Sequence, residues 1–340
     1  MHKKILMLLT GGTIGSSSKN GVISTDTDGC TAVEKYFGHY GRDTDFTVVR
    51  LMNILSENLN KTHWEIIVNY LISARLDDFD SVILTHGSDT LSYSSAMLAM
   101  CLGGRLNRPL FITAANYVPY DPKSNAVQNI RAAVVLTDII KKGIFTVYKN
   151  PQDSACSVFI PTRLREADRF ADRFSSADGA PLGYVENDIF TPYNSSVSLD
   201  DIQNFTDTAD IKFPLSLKKD VLMIHPYPSM RYDTIETGDN IGAVLHITYH
   251  SSTACSEKSN SALSLLERCK EKGIKLFLAS FGEYNAIYES SHILVQNGAV
   301  PLAHMSDESA YAKLLLYCNS AVSPEAFINK QIYFENWIQS

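Results

Sequence analysis

Short apolar runs alternate along this chain with longer stretches whose apolar positions recur every three or four residues. The runs Ile5–Leu9, Thr47–Leu51, Ser81–Thr85, Leu110–Thr113 and Ile144–Tyr148 are too short for helices and predict strands. Between them, Trp64–Ala74, Ser92–Leu102 and Asn125–Lys142 carry helical spacing. That alternation implies a mostly parallel sheet with helices on both faces. A polar, irregular stretch, SSVSLDDIQNFTDTADIKFPLSLKK, then predicts a linker over 194–216. A shorter series follows it, with strands expected at Val221–His225, Ala243–Thr248 and Lys275–Ala279 and helices at Asn260–Lys272, Ser290–Asn297 and Asp307–Cys318. The expectation is therefore α/β throughout: a larger flavodoxin-like or doubly wound domain over 1–193 and a smaller α/β domain over 217–340.

Composition narrows the partners. The 340 residues suit two domains, and 45% hydrophobic content suffices for ordinary cores. A net charge of -7 without a long Lys/Arg cluster argues against nucleic acid, which needs a concentrated basic face. Small molecules are the expected partners. The apolar run behind His2-Lys3-Lys4 leads into a glycine turn and is too short for a secretory leader, and no run is long enough to span a membrane. Six cysteines are scattered with no CxxC pair, which favours free thiols in a reducing cytoplasm over disulfides or zinc.

In an open parallel sheet, ligands sit outside the carboxyl ends of the strands. Two polar loops fall there: Thr10-Gly11-Gly12-Thr13-Ile14-Gly15 after the first strand, and Thr85-His86-Gly87-Ser88-Asp89-Thr90 after SVIL. Glycine permits tight turns with exposed N–H groups, and hydroxyls can attack or donate. A dinucleotide site does not fit, because the spacing is not GxGxxG and the strand FTVVRLMN ends without an acidic residue. No Walker lysine follows the glycines.

The pair TGGTIG and LTHGSDTL resembles the two signatures of the bacterial-type L-asparaginase family, usually written TGGTI and HGTDT. The likeness continues through ILSENLNKTHW, RPLFITAANYVP, SNAVQNIRAAV, FSSADGAPLGYV and GAVPLAHMSDESAYAKLLL, and so covers nearly the whole chain. The resemblance implies hydrolysis of a side-chain amide to acid and ammonia, with no metal or organic cofactor. It implies Thr13 as nucleophile, Ser88 and Asp89 as the supporting hydroxyl and acid, and Gly12, Ser56, Glu57, Gly87 and Ala115 around the substrate. It also implies a homo-oligomer, dimer or tetramer, in which a neighbour's second domain closes the pocket. In chemical terms, a Thr13 or Ser88 hydroxyl can attack or relay a proton, loop N–H groups can hold an oxyanion, and Asp89 can accept an ammonium.

Four departures stand out. Counting back nine residues from Phe174, the family's catalytic lysine becomes Arg165, whose guanidinium cannot lose a proton. Val22 takes the place of a mobile tyrosine, Asn125-Ala126 replaces an acidic-glycine pair, and Ile247-Thr248-Tyr249-His250-Ser251-Ser252 replaces a GTGxGN loop. The chain is then an amidohydrolase with a different substrate, using Tyr249 or His250 for what is missing, a slow asparaginase, or a binding protein that kept the pocket. Plainer roles compete at each position. Thr13 and Ser88 suit helix N-caps. His86 and His246 suit packed histidines, Glu57 a solvated charge, and the Arg/Asp alternation from Arg163 to Arg173 a salt-bridged helix face that would include Arg165.

Overall fold

The computed structural model describes residues 2–19, 22–25, 31–193, 196–207, 209–257, 259–282, 288–320 and 324–337. The chain divides into two compact units, residues 1–209 and 210–340.

The first unit runs β1 (Lys3–Gly11), a small hairpin of β2 (Ser16–Lys19) and β3 (Val22–Thr25), α1 (Thr31–Tyr40), β4 (Thr44–Ile54), α2 (Lys61–Ser73), β5 (Ser81–Thr85), α3 (Leu91–Leu102), β6 (Leu110–Thr113), α4 (Ala126–Ile139) and β7 (Ile144–Tyr148). It closes with β8 (Cys156–Phe159), β9 (Gly183–Glu186), β10 (Ile189–Pro192) and α5 (Leu199–Gln203). The sheet order is β10-β9-β8-β7-β6-β5-β1-β4. Strands β4, β1, β5, β6 and β7 are parallel, and β8, β9 and β10 extend them antiparallel. Among the parallel strands the order is second, first, third, fourth, fifth, the flavodoxin-like winding the sequence predicts.

Burial explains why these runs are strands. Ile5–Leu9 and Val82–Leu84 are at most 5% exposed, as befits central strands covered on both faces, where no polar alternation survives. Helix α3 is buried at every position but Tyr93, so it shows no polar face. The stretch read as an irregular linker holds α5, started by a capping box in which Ser198 Oγ accepts from Asp201 N and Asp201 Oδ2 accepts from Ser198 N.

The second unit contains β11 (Asp220–Ile224), β12 (Ile241–Ile247), α6 (Ala262–Glu271), β13 (Lys275–Phe281), α7 (Glu289–Gln296), β14 (Val300–Ala303), α8 (Asp307–Cys318) and α9 (Pro324–Asn329). Its four strands are parallel and follow chain order, β11-β12-β13-β14. One core cluster joins Ile224, Val244, Leu276 and Leu278 of the sheet to Leu265, Leu266 and Leu294 of α6 and α7. Because the order never reverses, this sheet has no switch point. The first has one, between β1 and β5, and the carboxyl ends at such a point are where open α/β sheets place their ligands.

Candidate active site

Strands β1 and β5 lie side by side with Leu9 opposite Thr85, so the loops leaving them start level. Gly12 turns the first loop with φ +71 and donates its N–H to Ile54 O at 3.0 Å. A Cβ on Gly12 would stand 2.5 Å from Gly87 N and 2.7 Å from His86 O, so only glycine lets the two loops meet. On its other side Gly87 packs against Ser56, and a Cβ there would overlap Ser56 Cβ and Oγ. Buried Ser56 opens the 3-10 turn Ser56–Asn58 after β4 and donates through Oγ to Asp89 Oδ2 at 3.1 Å. Thr90 Oγ1 donates to Ser56 O at 3.1 Å. Three loops are thereby locked, and Gly12, Ser56, Gly87 and Asp89 come together.

Thr13 follows Gly12, half-buried at the start of the 3-10 turn Thr13–Gly15. Ser88 is half-buried and Asp89 exposed at the opposing turn Ser88–Thr90. Neither that turn nor α3 has a side-chain cap, so capping does not occupy the Ser88 hydroxyl. Glu57 is exposed beside Ser56. Ala115 is fully buried after β6, where Asn116 N donates to Asn125 Oδ1 and Asn125 N returns a bond to Asn116 Oδ1, both at 3.0 Å. Asn125 Nδ2 also donates to Lys149 O at 2.7 Å. The Asn125 side chain thus ties the β6 loop, through its acceptor, to the residue that follows β7, through its donor.

His86 is fully buried and works within this loop. Trp64 Nε1 can only donate, and it reaches Ser94 Oγ at 2.8 Å. Gly87 O can only accept, so His86 Nδ1 carries the proton that reaches it at 2.9 Å, and in the neutral ring Nε2 accepts from Ser94 Oγ at 2.9 Å. Burial holds the His86 imidazole below its ordinary pKa, against the bond to Gly87, so it stays neutral. With the Gly87 carbonyl held on this side, the trans peptide turns the Ser88 N–H the other way. Sequence reading identified His86 as a packed histidine. It missed the relay, because Trp64 and Ser94 sit on α2 and α3.

Arg163–Arg173 is a hairpin, not the salt-bridged helix face that was the plainer role for its Arg/Asp alternation. Leu164 bridges Ser176, Arg165 N donates to Ser175 O at 3.0 Å, and Asp168 N donates to Arg173 O at 2.9 Å. Arg163 is buried against Asp178, while Arg165 is exposed, with no hydrogen bond or ion pair from its guanidinium among the described residues. The hairpin is tied to the turn after β7, where Asn150 exchanges two bonds with the Phe174 backbone, at 2.8 and 3.0 Å. Phe170 (φ +65) and Asp172 (φ +50) adopt left-handed backbone at its tip. The buried Tyr148 phenol donates to Asp172 Oδ2 at 3.0 Å. Burial raises the Asp172 carboxyl above the ordinary carboxylate range; the Tyr148 bond opposes this and the Asp89 charge adds to it. No sequence signal marked Asp172, one charge among many, or Tyr148, which reads as the end of an apolar strand.

Tyr249 and His250 are exposed on the turn after β12, in the second unit. His246 is buried and meets Tyr232 Oη at 2.9 Å. The Val22 side chain lies outside the described residues. Among the described residues no group of three or more His, Cys, Asp or Glu could hold a metal ion, and no helix is long and apolar enough to cross a membrane.

Known proteins add a family to this geometry. The chain is 25% identical over 331 residues to a subunit of the glutamyl-tRNA(Gln) amidotransferase of Methanosphaera stadtmanae, covering 92% of this chain and 71% of that protein. The corresponding protein of Thermoplasma acidophilum is 27% identical over 325 residues, covering 92% and 75%. The fold matches the thermostable L-asparaginase of Thermococcus kodakarensis with a TM-score of 0.77 at 20% identity, over 99% of this chain and 100% of that one. It matches L-asparaginase I of Vibrio cholerae with a TM-score of 0.77 at 18% identity, over the same shares. The family sequence pattern described as "Asparaginase, N-terminal" spans residues 4–197, which hold both glycine loops, Ser56 and the Asp172 hairpin, and the chain belongs to the asparaginase family.

Proposed function

We propose that this protein hydrolyses the carboxamide of asparagine or an asparagine-related compound, with Thr13 as nucleophile. The Ser56–Asp89 bond at 3.1 Å carries the reading, because it ties the substrate-side serine to the acid of the second loop, whose Gly87 packs against Gly12, the residue before Thr13. Thr13 Oγ attacks the amide carbon, the nitrogen leaves as ammonia, and water cleaves the resulting ester. The Ser88 N–H, turned away from His86, donates to the oxygen that becomes negative. Asp89, oriented by Ser56, accepts the substrate's ammonium, and Ser88 relays protons. Glu57 and Ala115 border the substrate by resemblance. The same resemblance supplies a homo-oligomer, for which light scattering is expected to return a dimer or tetramer rather than a 37.7 kDa monomer.

Ammonia release from asparagine, glutamine, N-substituted asparagines and asparagine-containing peptides tests the reading, with Thr13→Ala as control. Turnover abolished by Thr13→Ala is expected. Asparagine that raises the melting temperature while the whole panel stays silent would replace the hydrolase with a binding protein. The amidotransferase relatives favour a second reading, in which ammonia is handed to an acceptor held by a partner protein. Glutamine preferred over asparagine in the same panel would select it.

A further inference from the structure

The proposed reaction needs a group that takes and returns protons, and Arg165 cannot do so. We propose that Asp172, hydrogen-bonded by Tyr148 at the carboxyl end of β7, is the acid–base group of this site. This rests on the hydrolase reading above.

The placement comes from topology. Tyr148 is the last residue of β7, so its phenol and the Asp172 carboxyl it holds stand at the carboxyl edge where the β1 and β5 loops also emerge. Strand β7 is two strands from β5, about 10 Å at ordinary sheet spacing. A small amide reaching from Asp89 across the β6 loop at Ala115 spans that distance. The backbone supports a functional rather than incidental position. Asp172 sits two residues from Phe170 in left-handed backbone, which for a bulky residue such as Phe170 persists only where surroundings enforce it and which gathers at active sites. Here the enforcing contacts are the Asn150–Phe174 pair and the Asp168–Arg173 bond.

The ionisable groups acting on Asp172 from the elements packed against it are Tyr148 and Asp89. Two carboxylates whose surroundings differ divide the work. Exposed Asp89 binds the ammonium, and half-buried Asp172 shuttles protons, directly or through one water. As Thr13 Oγ bonds to the amide carbon, the Asp172 carboxylate takes the hydroxyl proton. It gives that proton to the nitrogen as the C–N bond breaks, and ammonia leaves. It then takes a proton from the attacking water and returns it to Thr13 Oγ as the ester C–O bond breaks, so the enzyme ends as it began.

Asp172→Asn is the direct test, since asparagine tolerates left-handed backbone and keeps the shape of the side chain. It is expected to lower kcat/KM by about 10²-fold or more while the melting temperature holds. Wild type should show an acid limb in kcat/KM. Tyr148→Phe should move that limb to higher pH, because the phenol's bond favours the carboxylate. A purely structural tyrosine would lower activity without moving the limb. The proposal is overturned if Asp172→Asn keeps kcat/KM within twofold of a wild type that Thr13→Ala inactivates, or if Tyr148→Phe leaves the limb in place. A wild type that releases ammonia from nothing in the panel overturns the hydrolase reading first, and this role with it.

Discussion

Replacing Gly87 with alanine tests whether the three loops truly interlock. Gly87 has φ -87 and ψ 149, ordinary extended backbone, so alanine brings no conformational strain of its own. The penalty is steric, because the new methyl would land on Ser56 Cβ and Oγ. Ser56 has little room to yield, held by its bond to Asp89 and by Thr90 on its carbonyl. Overpacking of this kind costs about 1–3 kcal/mol. Even a displacement of about 1 Å of the Thr13 turn from the Ser88 turn would lower kcat about 10²-fold. Ser56→Gly removes the two obstructing atoms, so Gly87→Ala with Ser56→Gly should recover stability, with a coupling of about 1–2 kcal/mol. Activity should not recover, since the oxygen that orients Asp89 is gone. Urea denaturation of the four proteins measures the coupling, and ammonia release measures the activity. A Gly87→Ala protein within about 0.5 kcal/mol of wild type, or a cycle with no coupling, would refute the contact on which the site is built.

Ser94→Ala should leave His86 free to change tautomer, lowering kcat about tenfold with KM nearly constant; 15N shifts of the imidazole would show whether Nδ1 loses its proton. Burial lowers His246 to about 4, so stability should be flat above pH about 6.5 and fall by up to about 3 kcal/mol as pH drops toward 4, the unfolded chain binding a proton the native one refuses. Denaturation at several pH values checks this, and an unchanged profile in His246→Gln would count against it. Lys313 and Glu335 form a wholly buried pair at 2.8 Å, with Lys330 O on the ammonium and the N–H groups of Ile332 and Tyr333 on the carboxylate. Lys313→Met should cost about 3–5 kcal/mol by stranding the carboxylate, and adding Glu335→Gln should restore part of it, as read from denaturant midpoints. Equal stability of the single and double variants would show the pair to be uncoupled.

Much of the larger sheet was legible because burial and hydrophobic pattern coincide there. Ser81–Thr85, Leu110–Thr113 and Ile144–Tyr148 are strands with the bounds their apolar runs predict. Strand β4 runs beyond Thr47–Leu51 to Thr44–Ile54 because its ends pair with Lys3 and Gly11 of β1, a tertiary fact with no local signature. Strands β8, β9 and β10 were not anticipated, being four residues each and too short for any period to declare itself. The capping box of α5 was written as Ser198-Leu199-Asp200-Asp201, but it sits in a stretch whose polarity suggested a connection. At the site, the glycine loops and Ser56 were visible as motifs. The 163–173 hairpin was not, because its left-handed residues are Phe170 and Asp172 rather than glycine or asparagine, and its charges alternate as they would on a helix.

The reversal of strand order between β1 and β5 bears on how such a protein can change over generations. A cleft made by winding belongs to the backbone path, and the side chains around it are tenants. Side chains around a site positioned in this way can be exchanged without moving the site itself. Chemistry on such a fold can therefore be rewritten one loop at a time, with the role of a side chain on one loop taken over by an unrelated one on another. For such chains, inheritance fixes where a ligand sits well before it fixes which ligand that is.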